Sequence, residues 1–501
     1  MLLHASILVA LVISLGAWAL ASPIGADPDG DYHLTSIWCG SGFSAGQCEQ
    51  PTDSAGNPIP NNVNVPVAVA LAGTCNKHRP SDSSICSFSE LDNKSFLQTT
   101  RNNEAGLYPK IYYFVASKFV GNEISSSAIS LRFINILIFV SLVICLWKLA
   151  PRDIRDGVFL TLATLLVPLG IFLIASNNPH SWTISGISFY WAFLVIFLSS
   201  SEQKTFISAG LLTVLTAIMA AGSRADGASF IIFSTVVGIL ITVSRNSESL
   251  RLHWIRLAVP LLLACFSVST YLGASQHNAA TSGLVGAWVS PRSTSSALFN
   301  NIMRLPAFFM AATGTRAFVG DLGWLDVQMP ELVPALVQFS IVGVVLYSLK
   351  KRSKFELSAL TLCVLAAIVS PLILLNQNNL IVGEEVQARY FLPLFLLALG
   401  VLSSGIRQDV STWFPKKFRN ISILFLAVAY GVALHTTMRR YITGSEVSDW
   451  NLNHKIEWWW KSGPPPMMVW YVGTISFTCV VAFLMHNIGT KTKRDDIVPA
   501  E

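Results

Sequence analysis

Charge is what this sequence has least of. Asp, Glu, Lys and Arg make up only 12% of its 501 residues, about half of the roughly 25% usual in soluble domains. A soluble chain of this length would divide into several domains, each needing a polar surface, and there is too little charge here to coat them. Signatures of soluble catalysis are missing too. There is no glycine-rich phosphate loop, HExxH or CxxC, which argues against ATP chemistry of the soluble type. The net charge of +6 comes without a basic stripe interleaved with aromatics, so nucleic acid is not an expected partner.

What the chain does have is apolar length. Hydrophobic residues reach 52% and the mean hydropathy is +0.53. A spanning helix needs about 20 apolar residues. Runs of that kind lie at about 2–21, 128–150, 156–175, 183–200, 205–222, 227–244, 254–272, 330–349, 356–376, 388–405, 419–437 and 466–486. The expected fold is an all-α polytopic integral membrane protein of about 12 transmembrane helices. Its expected organisation is a first helix over 1–21, a large loop over 22–127, helices two to seven over 128–272, a second loop over 273–329, helices eight to twelve over 330–486, and a tail over 487–501. Ala19-Leu20-Ala21 resembles a signal-peptide cleavage site, but no Lys or Arg precedes the first run. A retained helix is therefore the favoured reading. Within 273–329, the stretch 297–313 is short for a span and contains Arg304 and Pro306, which suits a re-entrant or interfacial helix.

Lys and Arg cluster in alternate short connections. They include Arg152 and Arg155; Lys204; Arg245, Arg251 and Arg256; Lys350, Lys351, Arg352 and Lys354; Arg407, Lys416, Lys417 and Arg419; and the tail residues Lys491, Lys493 and Arg494. With twelve spans all of these share one side, which the positive-inside rule makes cytoplasmic. Both termini are then cytoplasmic, and the 22–127 loop faces outward. That loop holds Cys39, Cys48, Cys75 and Cys86. Pairing Cys39 with Cys48 and Cys75 with Cys86 closes two short loops, and disulfides require an oxidising compartment. A zinc site is the rival reading, but these spacings are long for one.

The unusual polar residues fall on the expected outer side. Asp27-Pro28-Asp29-Gly30-Asp31-Tyr32-His33 follows the first run. Carboxylates at this spacing can hold a divalent cation such as Mg or Mn, with Asp29 and Asp31 as ligands, or supply a general base; a solvated turn is the alternative. Asn178 and His180 sit between the third and fourth runs. Arg224 either pairs with nearby Asp226 or meets a phosphate, whose oxygens suit its fork. Gln387, Arg389 and Tyr390 open a late helix, where an Arg opposes the helix dipole and calls for an anion, unless it snorkels. Trp458-Trp459-Trp460 reads as an interfacial belt or as a sugar-stacking platform.

Taken in order, these landmarks resemble a bacterial family of predicted membrane proteins of unknown function placed among the GT-C glycosyltransferases. Its Pro-Asp-Glu-x-x-His segment is similar to Pro28-Asp29-Gly30-Asp31-Tyr32-His33, with Gly30 at the Glu position and Asp31 as a substitute carboxylate. Its Pro-Pro-x-Tyr-Tyr resembles Tyr108-Pro109-Lys110-Ile111-Tyr112-Tyr113. Leu131-Arg132, the Asn178-Pro179 turn and Gln387-Ala388-Arg389-Tyr390-Phe391-Leu392-Pro393 complete the likeness. The resemblance implies a GT-C-like transferase in the bacterial cytoplasmic membrane. It would move a sugar from a polyprenyl-phosphate donor to a glycan or lipid acceptor on the outer face. Asp29, Asp31 and His33 would be catalytic. Arg224, Arg389, Gln387, Tyr390, Asn178, His180 and Tyr112 would bind substrate. A transporter or flippase of lipid-linked glycans is the alternative, and a non-catalytic envelope assembly protein another.

Overall fold

A computed structural model describes residues 2–278, 292–314, 322–349, 351–377, 379–384, 386–404 and 415–488. Lys350, Glu385, Arg407, the Arg251 side chain and the tail from residue 489 lie outside the described residues. The described residues are mostly helical, with one two-stranded sheet among them.

Among the described residues, nine helices are long and apolar enough to cross a membrane. They are α1 (Leu2–Leu20), α6 (Ile124–Leu149), α9 (His180–Ser199), α10 (Gln203–Ser223), α11 (Ala225–Leu252), α12 (Ala258–Gly273, extended by a turn from Trp254), α15 (Lys354–Gln377), α17 (Lys416–Ile442) and α18 (Pro466–Asn487). The other three apolar runs form shorter elements. The run at 156–175 breaks into α7 (Arg152–Leu165) and α8 (Leu169–Ile174). Pro168 lies between them, where it has no N–H to continue the helix. The last two are α14 (Leu332–Ser348) and α16 (Leu392–Ser403), the latter entered through a 3-10 turn over Ala388–Tyr390.

Helix α9 is the centre of the bundle and is buried all round, as expected of a helix apolar on every face. Its closest partner is α10, which presents the small residues Ala209, Thr213, Thr216, Ala217 and Ala220. Gly186 of α9 lies against the Thr216 and Ala220 backbone. Without a hydrophobic driving force in lipid, such small faces allow the close backbone approach that holds helices together. The first helix is integral to the assembly. Its Trp18 packs edge-on against Phe172 and Tyr430, and Tyr430 of α17 donates to the Ser14 carbonyl at 2.5 Å.

The two ends of the bundle differ. At one end Arg155 pairs with Asp156 at 3.0 Å, Arg245 pairs with Asp153, and Arg256 donates to the Ser200 carbonyl at 2.6 Å. At the other end the long 21–123 segment folds over the helices. It contains α2 (Gly30–Trp38), α3 (Val67–Ala70), α4 (Cys86–Asp92) and α5 (Ile111–Ser117). Strand β1 (Val63–Pro66) pairs antiparallel with β2 (Phe96–Thr99). Both expected disulfides are present, Cys39–Cys48 and Cys75–Cys86, with Cα separations of 5.2 and 6.1 Å. In the second long loop, α13 (Thr294–Ala311) forms with Pro306 inside it and sets Phe308 against Phe391 and Phe395.

Candidate functional site

The site is built where α1 ends. The last carbonyls of any helix lack internal partners. Here buried Arg132 of α6 supplies them, donating to Ala19 and Ser22 at 2.7 and 2.8 Å and to Pro23 at 2.6 Å. Asn178 donates to the Pro28 carbonyl at 2.8 Å, and the Trp324 indole to the Gly25 carbonyl at 2.9 Å. The 21–29 segment is therefore pinned from three separate elements. It delivers Asp29 in the left-handed conformation, with φ 57° and ψ 30°. That conformation costs a non-glycine residue roughly 1–2 kcal/mol, though Asp is among those that tolerate it best.

Gly30 follows directly, and its lack of a side chain is a packing requirement. A Cβ there would fall within the backbone of Gly25. Gly30→Glu, which restores the family pattern, is therefore expected to yield aggregated protein on size-exclusion chromatography. A monodisperse variant with increased activity would reverse this view.

Asp29 stands between two guanidinium groups, Arg101 at 3.2 Å and Arg389 at 3.3 Å. Its side chain is 38% exposed, whereas Arg389 is 7% exposed. Arg101 also grips Asp31 through both oxygens, at 2.9 and 2.8 Å. Strand β2 positions Arg101, which follows it by two residues and donates its N–H to the Thr99 hydroxyl. Arg224 pairs with Asp226 through three contacts of 2.8–3.1 Å and lies between the Tyr108 and Tyr390 rings, at 5.2 and 5.4 Å. Arg389 donates to the Tyr390 hydroxyl at 3.3 Å. The His180 ring meets Tyr390 edge-on at 5.8 Å. Both His180 nitrogens, the Gln387 carbonyl oxygen and the Asn177 amide are buried without a hydrogen-bond partner.

The electrostatics follow from this crowding. Burial opposes ionisation of Asp29, but the charges of Arg389 and Arg101 outweigh it and hold the carboxyl below its ordinary range. His33 is buried, its Nδ1 2.9 Å from the Tyr113 hydroxyl. Burial pushes it down to about 3 against the attraction of Asp29, so it is neutral at physiological pH. Asp27 is buried with both oxygens unpartnered, and burial lifts it from 3.8 to about 6 despite Arg132.

A carboxyl raised on folding contributes stability that is full below its unfolded value and lost as pH rises through its folded value. Asp27→Asn removes that loss. The melting midpoint of the variant should match the wild type near pH 4, rise above it between pH 4 and 6, and keep a constant lead above pH 6. A difference that does not vary with pH would contradict this assignment.

Several residues expected at the site do converge there: Asp29, Arg389, Arg224, Tyr390 and His180; Gln387 lies two residues before Arg389. Others hold it in place. Asn178 pins Pro28 and accepts the His180 N–H, and the Tyr112 hydroxyl donates to the Asn177 carbonyl at 2.8 Å. Asp31 has both its oxygens engaged by Arg101 and a side chain only 7% exposed, which leaves Asp29 as the more open of the two carboxylates. The divalent-cation reading does not fit. Asp29 and Asp31 face guanidinium groups, and no group of three or more His, Cys, Asp or Glu among the described residues is arranged to hold a metal. Sequence reasoning missed Arg101 as the partner of both carboxylates. The only signal was a lone basic residue in an irregular polar loop.

A helical bundle of this hydropathy, with its ion pairs at the helix ends, defines a polytopic membrane protein with a charged site at one end. The family model described as "Predicted membrane protein (DUF2142)" matches residues 12–398, and the chain belongs to that family. No curated protein matches it.

Proposed function

We propose that the chain is a membrane glycosyltransferase of GT-C type, taking a sugar from a polyprenyl-phosphate donor on the outer face of a bacterial cytoplasmic membrane. The observation that carries this reading is the Asp29–Arg389 pair. A partly exposed carboxylate in a left-handed backbone conformation meets a buried arginine 360 residues away, and the Tyr390 hydroxyl and ring lie against that arginine. The Lys/Arg bias supports placing this end outside and both termini inside.

In this reading Arg389 and Arg101 receive the donor phosphate. The incoming phosphate takes over their hydrogen bonds and so releases Asp29 from its counter-ions. Freed of them, Asp29 becomes a stronger base and takes the proton from an acceptor hydroxyl as that oxygen attacks the sugar C1. The C1–O bond to phosphate breaks, and the polyprenyl phosphate leaves with the bonding electrons. Tyr390 and Tyr108 flank the phosphate site, while the unpartnered His180 and Gln387 groups offer hydrogen bonds to sugar hydroxyls. Neutral His33 orients α2 rather than carrying charge.

Arg389→Ala removes one charge-assisted contact, worth about 1.5–3 kcal/mol, which is about a 10- to 150-fold loss of affinity. Titration of undecaprenyl monophosphate into protein in nanodiscs measures it. Unchanged binding would overturn the phosphate role. Movement of the lipid between leaflets without sugar transfer would instead identify a flippase.

A further inference from the structure

We propose that a second site, a groove of about 790 Å³ between the disulfide-bonded loop and the tryptophan triplet, binds a neutral saccharide. Its volume is within the roughly 300–1,000 Å³ of small-molecule sites. Pro23 and Ile24 line it and Asp29 does not, so it is distinct from the charged centre. The inference does not depend on the transferase reading.

The chemistry of the walls selects the occupant. Trp458, Trp459 and Trp460 form one wall as an edge-to-face cluster, with Trp458 at 5.9 Å from Trp459 and 5.4 Å from Trp460. Trp458 is 2% and Trp459 9% exposed, which is incompatible with an anchoring belt whose rings lie among lipid headgroups. Two of the three N–H groups are already used: Trp459 donates to Pro464 and Trp460 to Leu20, each at 2.8 Å. What partly exposed Trp460 offers the groove is ring surface. Phe88 lines the groove from α4, Asn122 adds an amide, and Gln47, whose Nε2 donates to the Trp38 carbonyl, adds an amide oxygen. Flat aromatic surface suits the C–H face of a pyranose, while amides and carboxylates suit its hydroxyl edge.

Other occupants fit less well. An acyl chain would bury these polar groups without partners. An anion would meet Glu90, Asp92 and Glu123, and of the two lysines in the lining, Lys461 already pairs with Asp92 at 3.5 Å. The walls are also pre-organised. Gln47 adjoins Cys48 of one disulfide and Phe88 lies two residues beyond Cys86 of the other. Rigid walls lower the ordering cost of binding. The tryptophan wall lies beyond the family-matched residues 12–398, so that half of the groove belongs to this chain's own C-terminal part.

The test uses the full chain in nanodiscs, because maltoside detergents would compete for the groove. Maltotriose, mannotriose, chitotriose and inorganic phosphate are titrated against tryptophan fluorescence and by calorimetry. Saturable binding of at least one trisaccharide is expected. It should weaken tenfold or more in Trp460→Ala, measurably in exposed Asn122→Ala, and little in Trp460→Phe. If Trp460→Ala fails to fold, the Phe and Asn122 variants decide. Saturation by none of the three sugars, binding unaltered in the variants, or saturation by phosphate alone would overturn the proposal.

Discussion

Asp29→Asn should abolish sugar transfer while tightening the hold on the donor. The two effects come from one geometry. In the free protein Asp29 occupies Arg101 and Arg389, the groups assigned to the donor phosphate, so the carboxylate and the phosphate compete. An amide competes poorly, and affinity for undecaprenyl monophosphate should rise. The amide is also no base, and loss of a positioned general base costs about a hundred- to ten-thousand-fold in rate. Turnover of a radiolabelled polyprenyl-phosphate hexose in proteoliposomes, with membrane extract as acceptor, reads the rate; lipid titration reads the affinity. Full turnover in the variant would remove Asp29 from the chemistry. Lost turnover with weakened lipid binding would point to a collapsed site. The pairing of lower rate with tighter binding is the outcome a purely structural Asp29 would not produce.

The second large effect concerns stability. Asp326→Ala should destabilise the fold by about 3–5 kcal/mol, the usual consequence of orphaning one member of a buried ion pair. Arg440 donates to Asp326 at 2.7 Å, and the two side chains are 2% and 4% exposed. The same guanidinium holds the Asp82 carbonyl at 2.5 Å and the Asn76 carbonyl at 2.9 Å, while Asp326 also accepts the Trp324 N–H. One buried pair thus joins the segment around the second disulfide, the turn that pins Gly25, and the end of α17. The thermal midpoint of purified protein should fall sharply. Arg440→Leu in the same chain should recover part of the loss, since it removes the orphaned charge. A midpoint equal to wild type would mean the pair contributes nothing.

The helices were legible because lipid imposes a simple rule: backbone groups must be satisfied within the segment. The run at 128–150 thus corresponds to α6, and that at 466–486 to α18, within a few residues. The 156–175 run misled because hydropathy registers Pro168 as one weak position, whereas the backbone registers a missing donor. The disulfides were legible because local pairing closes short loops. Asp29 and Arg389 each stood out locally, as part of an acidic cluster and as an Arg at a helix start, but their pairing was not legible, since nothing in composition brings positions 360 apart together. Arg101 was not legible at all. Its place depends on the β1–β2 register, which short strands with little alternation do not announce. The partner of Asp31 was hidden for the same reason: it is the residue opposite it, Arg101.

The contact between the first and last parts of the chain has a consequence for timing. Tyr430 and Trp460 hold carbonyls of α1, at Ser14 and Leu20, and the Tyr441 hydroxyl reaches the Ala26 carbonyl. The turn that bears Asp29 is therefore clamped by residues the ribosome makes some four hundred positions later. During synthesis this part of the clamp on the charged centre cannot form until the final pair of helices is made. A chain cut before these helices would keep the charged residues but lose three of the hydrogen bonds that hold their turn.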